Sequence, residues 1–437
     1  MNTATLTSEK ITADLLPQKF GRRGMIWTAT LIAICLIGAY AYYRQLTKGL
    51  VVTNMRDYVS WGIYISNFVF FVAISLVGSL ITAILRLAKA SWSTPLTRIA
   101  EIIAVSAIVF ASIIIIVDMG RPERFVNLFF YGRLQSPIIW DVVVIGTYFF
   151  ISLLLLYFPL LPDLKILIAN KDKSPKWIGK FYRFIGSFWR GTSSQFKMSN
   201  KAITILCVMI IPVAFAIHTV TSWLFATTYR PGWDSTNFGA YFISGAFLVG
   251  AGGVVVAMYV FRRYYHLEKY ITEKHFERMG RVVVLLALLY LYFNINEYLI
   301  PAFKMKKPEE THLNNLFAGE FAAVFWFAIL VGMIIPIIIL VFKKGRKPLP
   351  VFVAGVMVVV GAWFKRYLIV TPTLLHPFLP MDNAPESFKH YFPSWEEWAI
   401  AMGSLAGALL VITFFARIFP IVPIHETIEE DETKSKN

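Results

Sequence analysis

Ten stretches of mostly apolar residues recur along the chain, near 24–43, 59–83, 97–118, 138–162, 202–225, 238–261, 281–303, 317–342, 348–370 and 397–419. The hydrocarbon core of a bilayer takes about 20 such residues per helix, and a backbone inside it must satisfy its own hydrogen bonds. The expected fold is therefore an all-α polytopic membrane protein with about ten transmembrane helices. Composition agrees, with 57% hydrophobic and 16% charged residues and a mean hydropathy of +0.62, far outside the range of soluble domains. A soluble enzyme, a disordered scaffold and a nucleic-acid-binding domain are excluded, the last despite a net charge of +16. Arg22 and Arg23 precede the first stretch, and Ala39-Tyr40-Ala41 within it resembles a signal-peptide cleavage site. The stretch is longer than the roughly 7–15 apolar residues of a signal peptide, so an uncleaved span is expected.

Basic residues hold helix ends on the cytoplasmic side. Of the 42 Lys and Arg, 29 fall at the two termini and in the loops after spans 2, 4, 6 and 8, and 13 in the five opposite loops. Both termini should face the cytoplasm. The largest basic block lies between Asp163 and Lys201 and includes Lys171, Lys173, Lys176, Lys180, Arg183 and Arg190. It reads as a topology determinant in contact with lipid headgroups. The acidic tail from Glu426 to Lys436 reads as a solvated end. A short repeat links Trp61-Gly62-Ile63-Tyr64-Ile65-Ser66 at the start of span 2 with Phe238-Gly239-Ala240-Tyr241-Phe242-Ile243 at the start of span 6. Four spans separate them, as expected of two four-helix bundles in parallel.

An ionisable side chain in the bilayer costs about 2.5–3.5 kcal/mol on insertion scales, so each one calls for a reason. In this orientation nearly all of them lie in the outer half. Span 2 carries Asp57, Tyr64 and Asn67; span 3 leaves through Asp118-Met119-Gly120-Arg121-Pro122; span 4 re-enters with Trp140 and Asp141. Span 5 carries His218, Thr219 and Thr221; span 7 carries Asn294, Asn296 and Glu297; span 8 begins near Glu320; span 9 ends at Lys365 and Arg366. Glu101, at the inner end of span 3, is the main exception. Asp57, Lys365 and Arg366 read as helix-end groups that snorkel to water, and Arg121 as an ion-pair partner for Asp118. Asp141, His218 and Glu297 are harder to explain that way and suggest a polar pocket open to the outer half.

Of seven histidines only His218 lies within a span, which rules out a bis-histidine haem site. Cys35 and Cys207 sit in apolar runs and are too few for a disulfide framework, an iron–sulfur cluster or a structural zinc site. No metal site is indicated, and no nucleotide-binding signature occurs in a supporting context. A carboxylate–histidine–tyrosine–tryptophan pocket at lipid depth suits a quinone, whose two carbonyls need hydrogen bonds and whose redox cycle moves two protons. An ion transporter would use the same ingredients near the midplane.

Asp118-Met119-Gly120-Arg121-Pro122 followed by Ser136-Pro137-Ile138-Ile139-Trp140-Asp141-Val142 resembles the NrfD/PsrC family of quinone-interacting membrane subunits. The likeness is greatest to its ten-helix branch, the subunits of the quinone reductase complex Qrc and of alternative complex III. Trp189-Arg190-Gly191, His218-Thr219 with Ser222, Pro231-Gly232-Trp233 and Leu267-Glu268-Lys269-Tyr270-Ile271-Thr272 extend it over roughly residues 25–420. The resemblance implies a cytoplasmic segment 1–23, a flanking helix with its loop over 24–58, a first bundle with the quinone site over 59–225, a second bundle over 226–370, a loop and last helix over 371–419, and a cytoplasmic tail 420–437. It implies an integral subunit of a respiratory complex in the bacterial inner membrane, handling quinone, with menaquinone expected, near the periplasmic face. The chain would hold neither haem nor an iron–sulfur cluster. Its implied partners are a ferredoxin-like iron–sulfur subunit outside, a multihaem cytochrome c and other membrane subunits. Asp141 occupies the family's quinone-site aspartate position. Asp118 stands where alternative complex III has a histidine, which tilts the expectation towards quinone reduction of the Qrc type. Asp141 and Asp118 are thus the expected proton-exchanging residues, Arg121, Tyr64, Asn67, His218 and Trp140 the expected quinone-binding ones, and Glu297, Glu320 and Glu101 a weaker proton route.

Overall fold

The structure, a computed structural model, describes residues 8–17, 21–88, 90–170, 176–304, 306–378 and 384–436. Among the described residues there is no strand. The helices in chain order are α1 (Ser8–Leu15), α2 (Arg22–Lys48), α3 (Ile63–Leu87), α4 (Thr94–Asp118), α5 (Asn127–Tyr131), α6 (Pro137–Tyr157), α7 (Leu161–Ala169), α8 (Lys176–Ile185) and α9 (Ser193–Ala226). They continue as α10 (Phe238–Tyr264), α11 (Glu273–Lys304), α12 (Lys307–Phe317), α13 (Ala322–Ile329), α14 (Ile335–Val341), α15 (Pro348–Leu375), α16 (Trp395–Ile418) and α17 (Ile424–Lys436). Ten spans among the described residues are long and apolar enough to cross a membrane, with α6–α7 and α13–α14 each counting as one. They coincide with the ten apolar runs. α9 and α11 start about two turns earlier than apolarity suggests, because a helix continues into water where an apolar window stops. At α9 a capping box fixes that start, with Thr192 and Gln195 each satisfying a backbone amide of the other.

α3, α4, α6 and α9 pack as one group, and α10, α11, α13–α14 and α15 as another, with α3 against both α10 and α15. α2 lies beside α16, outside the first group. Lipid offers no hydrophobic gain for joining helices, so close approach and interhelical hydrogen bonds hold them. A Cβ on Gly78 of α3 would lie 2.1 Å from the Ala100 carbonyl oxygen of α4, so only glycine permits that crossing. Ser79 and Ser152 bond at 2.9 Å, and the Tyr148 hydroxyl donates to the Ser75 carbonyl at 2.5 Å. Between α13 and α14, Leu330–Ile334 forms a π turn just before Pro336, whose missing amide suits a break in the helical ladder.

The chain enters α2 and leaves α16 on one side, which we call the terminal face; the other is the far face. One expectation is corrected here. The acidic tail is docked, not solvated: α17 packs on α1, α4 and α7, and Arg86 pairs with Glu426 at 3.0 Å. In the basic block, Lys171 and Lys173 lie outside the described residues, while Lys180 and Arg190 are exposed.

Candidate functional site

Ser136 and Pro137 start α6 without a wasted amide, because proline at the first turn has none to satisfy. That start places Asp141 one turn inside, 3% exposed, against α9. The Thr221 hydroxyl of α9 lies 2.7 Å from Asp141 Oδ1 and 2.7 Å from the Ile217 carbonyl oxygen. A hydroxyl has one hydrogen. When Thr221 donates to Ile217, the short contact to Asp141 requires a proton on the carboxyl; when Asp141 is ionised, the hydroxyl turns to it. Thr221 is therefore a local switch that accepts either protonation state of Asp141.

His218 precedes Thr221 by three residues, on the same face of α9. It is 1% exposed, and neither ring nitrogen has a hydrogen-bond partner among the described residues. Leaving a buried polar group unpaired costs about 1–3 kcal/mol, which a polar guest would relieve. An aromatic cluster lies towards the far end of α9: Phe225 meets Trp61, Trp233 and Phe242 at ring-centre distances of 5.7, 4.9 and 5.8 Å. Trp233 itself is fixed by its indole N–H to the Ile369 carbonyl at 2.8 Å. A buried carboxyl, an unpartnered imidazole and, farther along α9, an aromatic cluster are the kinds of group that a planar ring with hydrogen-bonding carbonyls would use.

The other expected residues are distributed differently. Asp118 ends α4 with Oδ1 buried and unpartnered, and makes no bond to Asp141. Arg121 does not pair with it: Arg121 is exposed, because the chain turns outward through Gly120 at φ 66°. Tyr64 is fully buried, but its hydroxyl donates to Gln45 of α2, which in turn donates to the Val117 carbonyl beside Asp118. Asn67 is a cross-link rather than a free ligand group. It accepts from the Trp363 indole at 2.6 Å and donates to the Ala401 carbonyl at 3.3 Å, joining α3 to α15 and α16. Trp140 is 38% exposed and its indole donates to the Leu134 carbonyl, so it faces away from Asp141's partners. Glu320 is exposed, 3.8 Å from His390, and not inside a span. Glu101 is buried near the terminal face.

The second bundle holds its own buried cluster. Glu297 accepts from the Ser235 hydroxyl at 2.7 Å and from Asn237. Lys365 and Arg366, expected to snorkel, are each 1% exposed. Lys365 bonds the Tyr298 hydroxyl and lies over the Tyr298 and Phe325 rings at 4.6 and 5.0 Å; Arg366 lies over Phe242 at 4.8 Å. Ring faces hold these cations inside the bundle, which helix-end position could not reveal. Beside them lies a cavity with about 450 Å³ of empty space, part of it open to solvent, lined by Glu297, Tyr241, Glu309, His312 and Thr373 among others. Asp141 and His218 do not line it.

His312 is on α12, outside the spans, and burial pushes its pKa down to about 3, with His376 adding to the effect. Undocked, α12 would bind a proton below about pH 6.5 that the docked helix refuses, so docking is full above that pH and weakens as pH falls, by up to about 1.4 kcal/mol per unit. Hydrogen-exchange protection of residues 307–317 should therefore drop between pH 7 and pH 5, and His312→Asn should remove most of that drop.

Sequence reading missed the contributions of the flanking helices. Glu397, in the Ser394 capping box that starts α16, accepts from the Tyr391 hydroxyl at 2.5 Å and from the Asn54 amide at 2.8 Å; the Tyr391 oxygen in turn accepts from the Ile63 amide that opens α3. The Ser-x-x-Glu pattern was visible, but nothing in it tells which bundle α16 meets.

A family described as "Polysulphide reductase, NrfD" matches residues 51–377. A selenate reductase subunit of Mesobacillus selenatarsenatis is 24% identical, over 92% of this chain and 96% of that protein. The menaquinone reductase integral membrane subunit of Nitratidesulfovibrio vulgaris is 23% identical, over 94% and 96%. The Hdr-like menaquinol oxidoreductase integral membrane subunit of Archaeoglobus fulgidus is 22% identical, over 92% and 95%.

Proposed function

The chain belongs to the NrfD family of integral membrane subunits of quinone-linked reductase complexes, and from that premise we propose that it binds quinone at Asp141, Thr221 and His218. The observation that carries this reading is the buried, unpartnered His218 one turn from the Thr221 hydroxyl that touches Asp141. His218 donates a ring N–H to one carbonyl oxygen. Asp141 exchanges a proton with the other, while the Thr221 hydroxyl follows its charge. The far face is then periplasmic and the terminal face cytoplasmic, as the basic residues favour. Electrons come from an iron–sulfur subunit docked on the far face, supplied by a multihaem cytochrome c, and menaquinone is reduced. Two of the similar proteins are named for opposite directions, menaquinone reductase and menaquinol oxidoreductase; the same proton groups run in reverse for quinol oxidation.

Quench titration of tryptophan fluorescence with a menaquinone analogue, on the purified complex and its Asp141→Asn form, tests the reading. Saturable quenching that weakens several-fold in the variant is expected. Equal quenching in both would move the site away from Asp141, and the absence of saturation in either would favour a passive anchor or an ion transporter.

A further inference from the structure

Glu101 is 1% exposed, and neither carboxyl oxygen has a hydrogen bond among the described residues. Its nearest cation, Arg86 of α3, stands 3.9 Å away and is shared with Glu426 of α17 at 3.0 Å. The groups whose charge reaches Glu101 are Arg86, Arg98 on its own helix and Glu426, and the Cys207 thiol of α9 belongs to the same electrostatic cluster. α17 is held over this place by several bonds. Asp163 accepts from the Ile424 and His425 amides at 3.1 and 2.9 Å, capping its first turn. The Phe196 and His425 rings stack at 5.1 Å, and Thr94 bonds Glu430.

We propose that Glu101 is a proton-binding site served from the water at the terminal face, and that the C-terminal helix is its gate. With α17 docked, Glu426 holds Arg86, and Glu101 keeps its proton because a buried carboxylate without a paired cation or hydrogen bonds is strongly disfavoured. When the Glu426 contact is lost, Arg86 closes on Glu101, which ionises and gives its proton to water. The mechanism needs no quinone and goes beyond the proposed redox role: it describes how one end of the first bundle admits or withholds protons.

Two variants of the full chain in its purified complex test it. Glu426→Gln leaves the Asp163 cap and the ring stack in place but frees Arg86. Dicyclohexylcarbodiimide modifies protonated buried carboxyls, and its attachment to Glu101, followed by peptide mass spectrometry, should slow about tenfold in this variant, as the protonated fraction falls from nearly all to about a tenth. Ending the chain at Pro423 removes the gate, and Cys207 becomes the native reporter: a charged methanethiosulfonate reagent should label it at least about tenfold faster, the change expected when about 1.4 kcal/mol of protection is lost. Cys35→Ser removes the other thiol. Unchanged carbodiimide labelling in Glu426→Gln overturns the role of Arg86, even if the truncated chain does not fold. Cys207 labelling in the full chain as fast as in a folded truncated one overturns the gate. Neither result bears on quinone binding at Asp141.

Discussion

Asp141→Asn should leave the complex assembled and lower quinone-linked turnover about 100-fold or more, the usual contribution of a positioned proton donor or acceptor. Asparagine keeps the shape and still accepts from the Thr221 hydroxyl that lies 2.7 Å from Oδ1, so packing between α6 and α9 survives. What is lost is the carboxyl's ability to take and give a proton. Thr221→Val, which removes the hydroxyl and adds no charge, should have a smaller effect, about tenfold, as expected for one hydrogen bond to a charged group. Steady-state turnover with a soluble quinone analogue, normalised to the amount of assembled complex, measures both. A passive anchor predicts native turnover in both variants, so that result would remove the catalytic assignment of Asp141.

The largest stability effect is expected at Asp163. This fully buried carboxylate pairs with Arg98 at 2.5 Å and accepts the Ile424 and His425 amides. Arg98 also donates to the Pro159 and Pro420 carbonyls, so the pair ties the ends of α6 and α16 to α4. Breaking a buried ion pair from one side costs about 3–5 kcal/mol because the remaining charge stays buried. Asp163→Ala should lower the melting temperature markedly in detergent, and α17 should become open to protease. Asp163→Asn, which retains an acceptor for the helix amides, should fall between the two. Melting at the native temperature in Asp163→Ala would show that Arg98 finds other compensation.

The ten spans are legible in the sequence because the bilayer demands a length and an apolarity that any window can count. The burial of Asp141 and His218 is legible for the same reason: both stand well inside apolar runs. Lys365 and Arg366 go against expectation. From their place near a helix end they should reach water, but the helix carries them into a nest of Tyr298, Phe325 and Phe242 rings contributed by three other helices. Arg121 does so too. It follows Asp118 by three residues, yet the turn at Gly120 sends it outward.

The number of crossings, and which of them hold polar groups deep in an apolar run, can be read from residue order alone, since both are local properties of residues against a uniform apolar solvent. Which polar groups are already bonded, among the described residues, follows from packing alone. Tyr64 and Asn67 look as available as His218, but Gln45 and Trp363, 19 and 296 residues away, already occupy them. Packing also decided that the acidic tail, polar enough to float, is docked on Asp163 and Arg86. A hydrogen bond is a statement about a partner, and in a bundle of antiparallel helices the partner's position in sequence carries no mark of where it will lie.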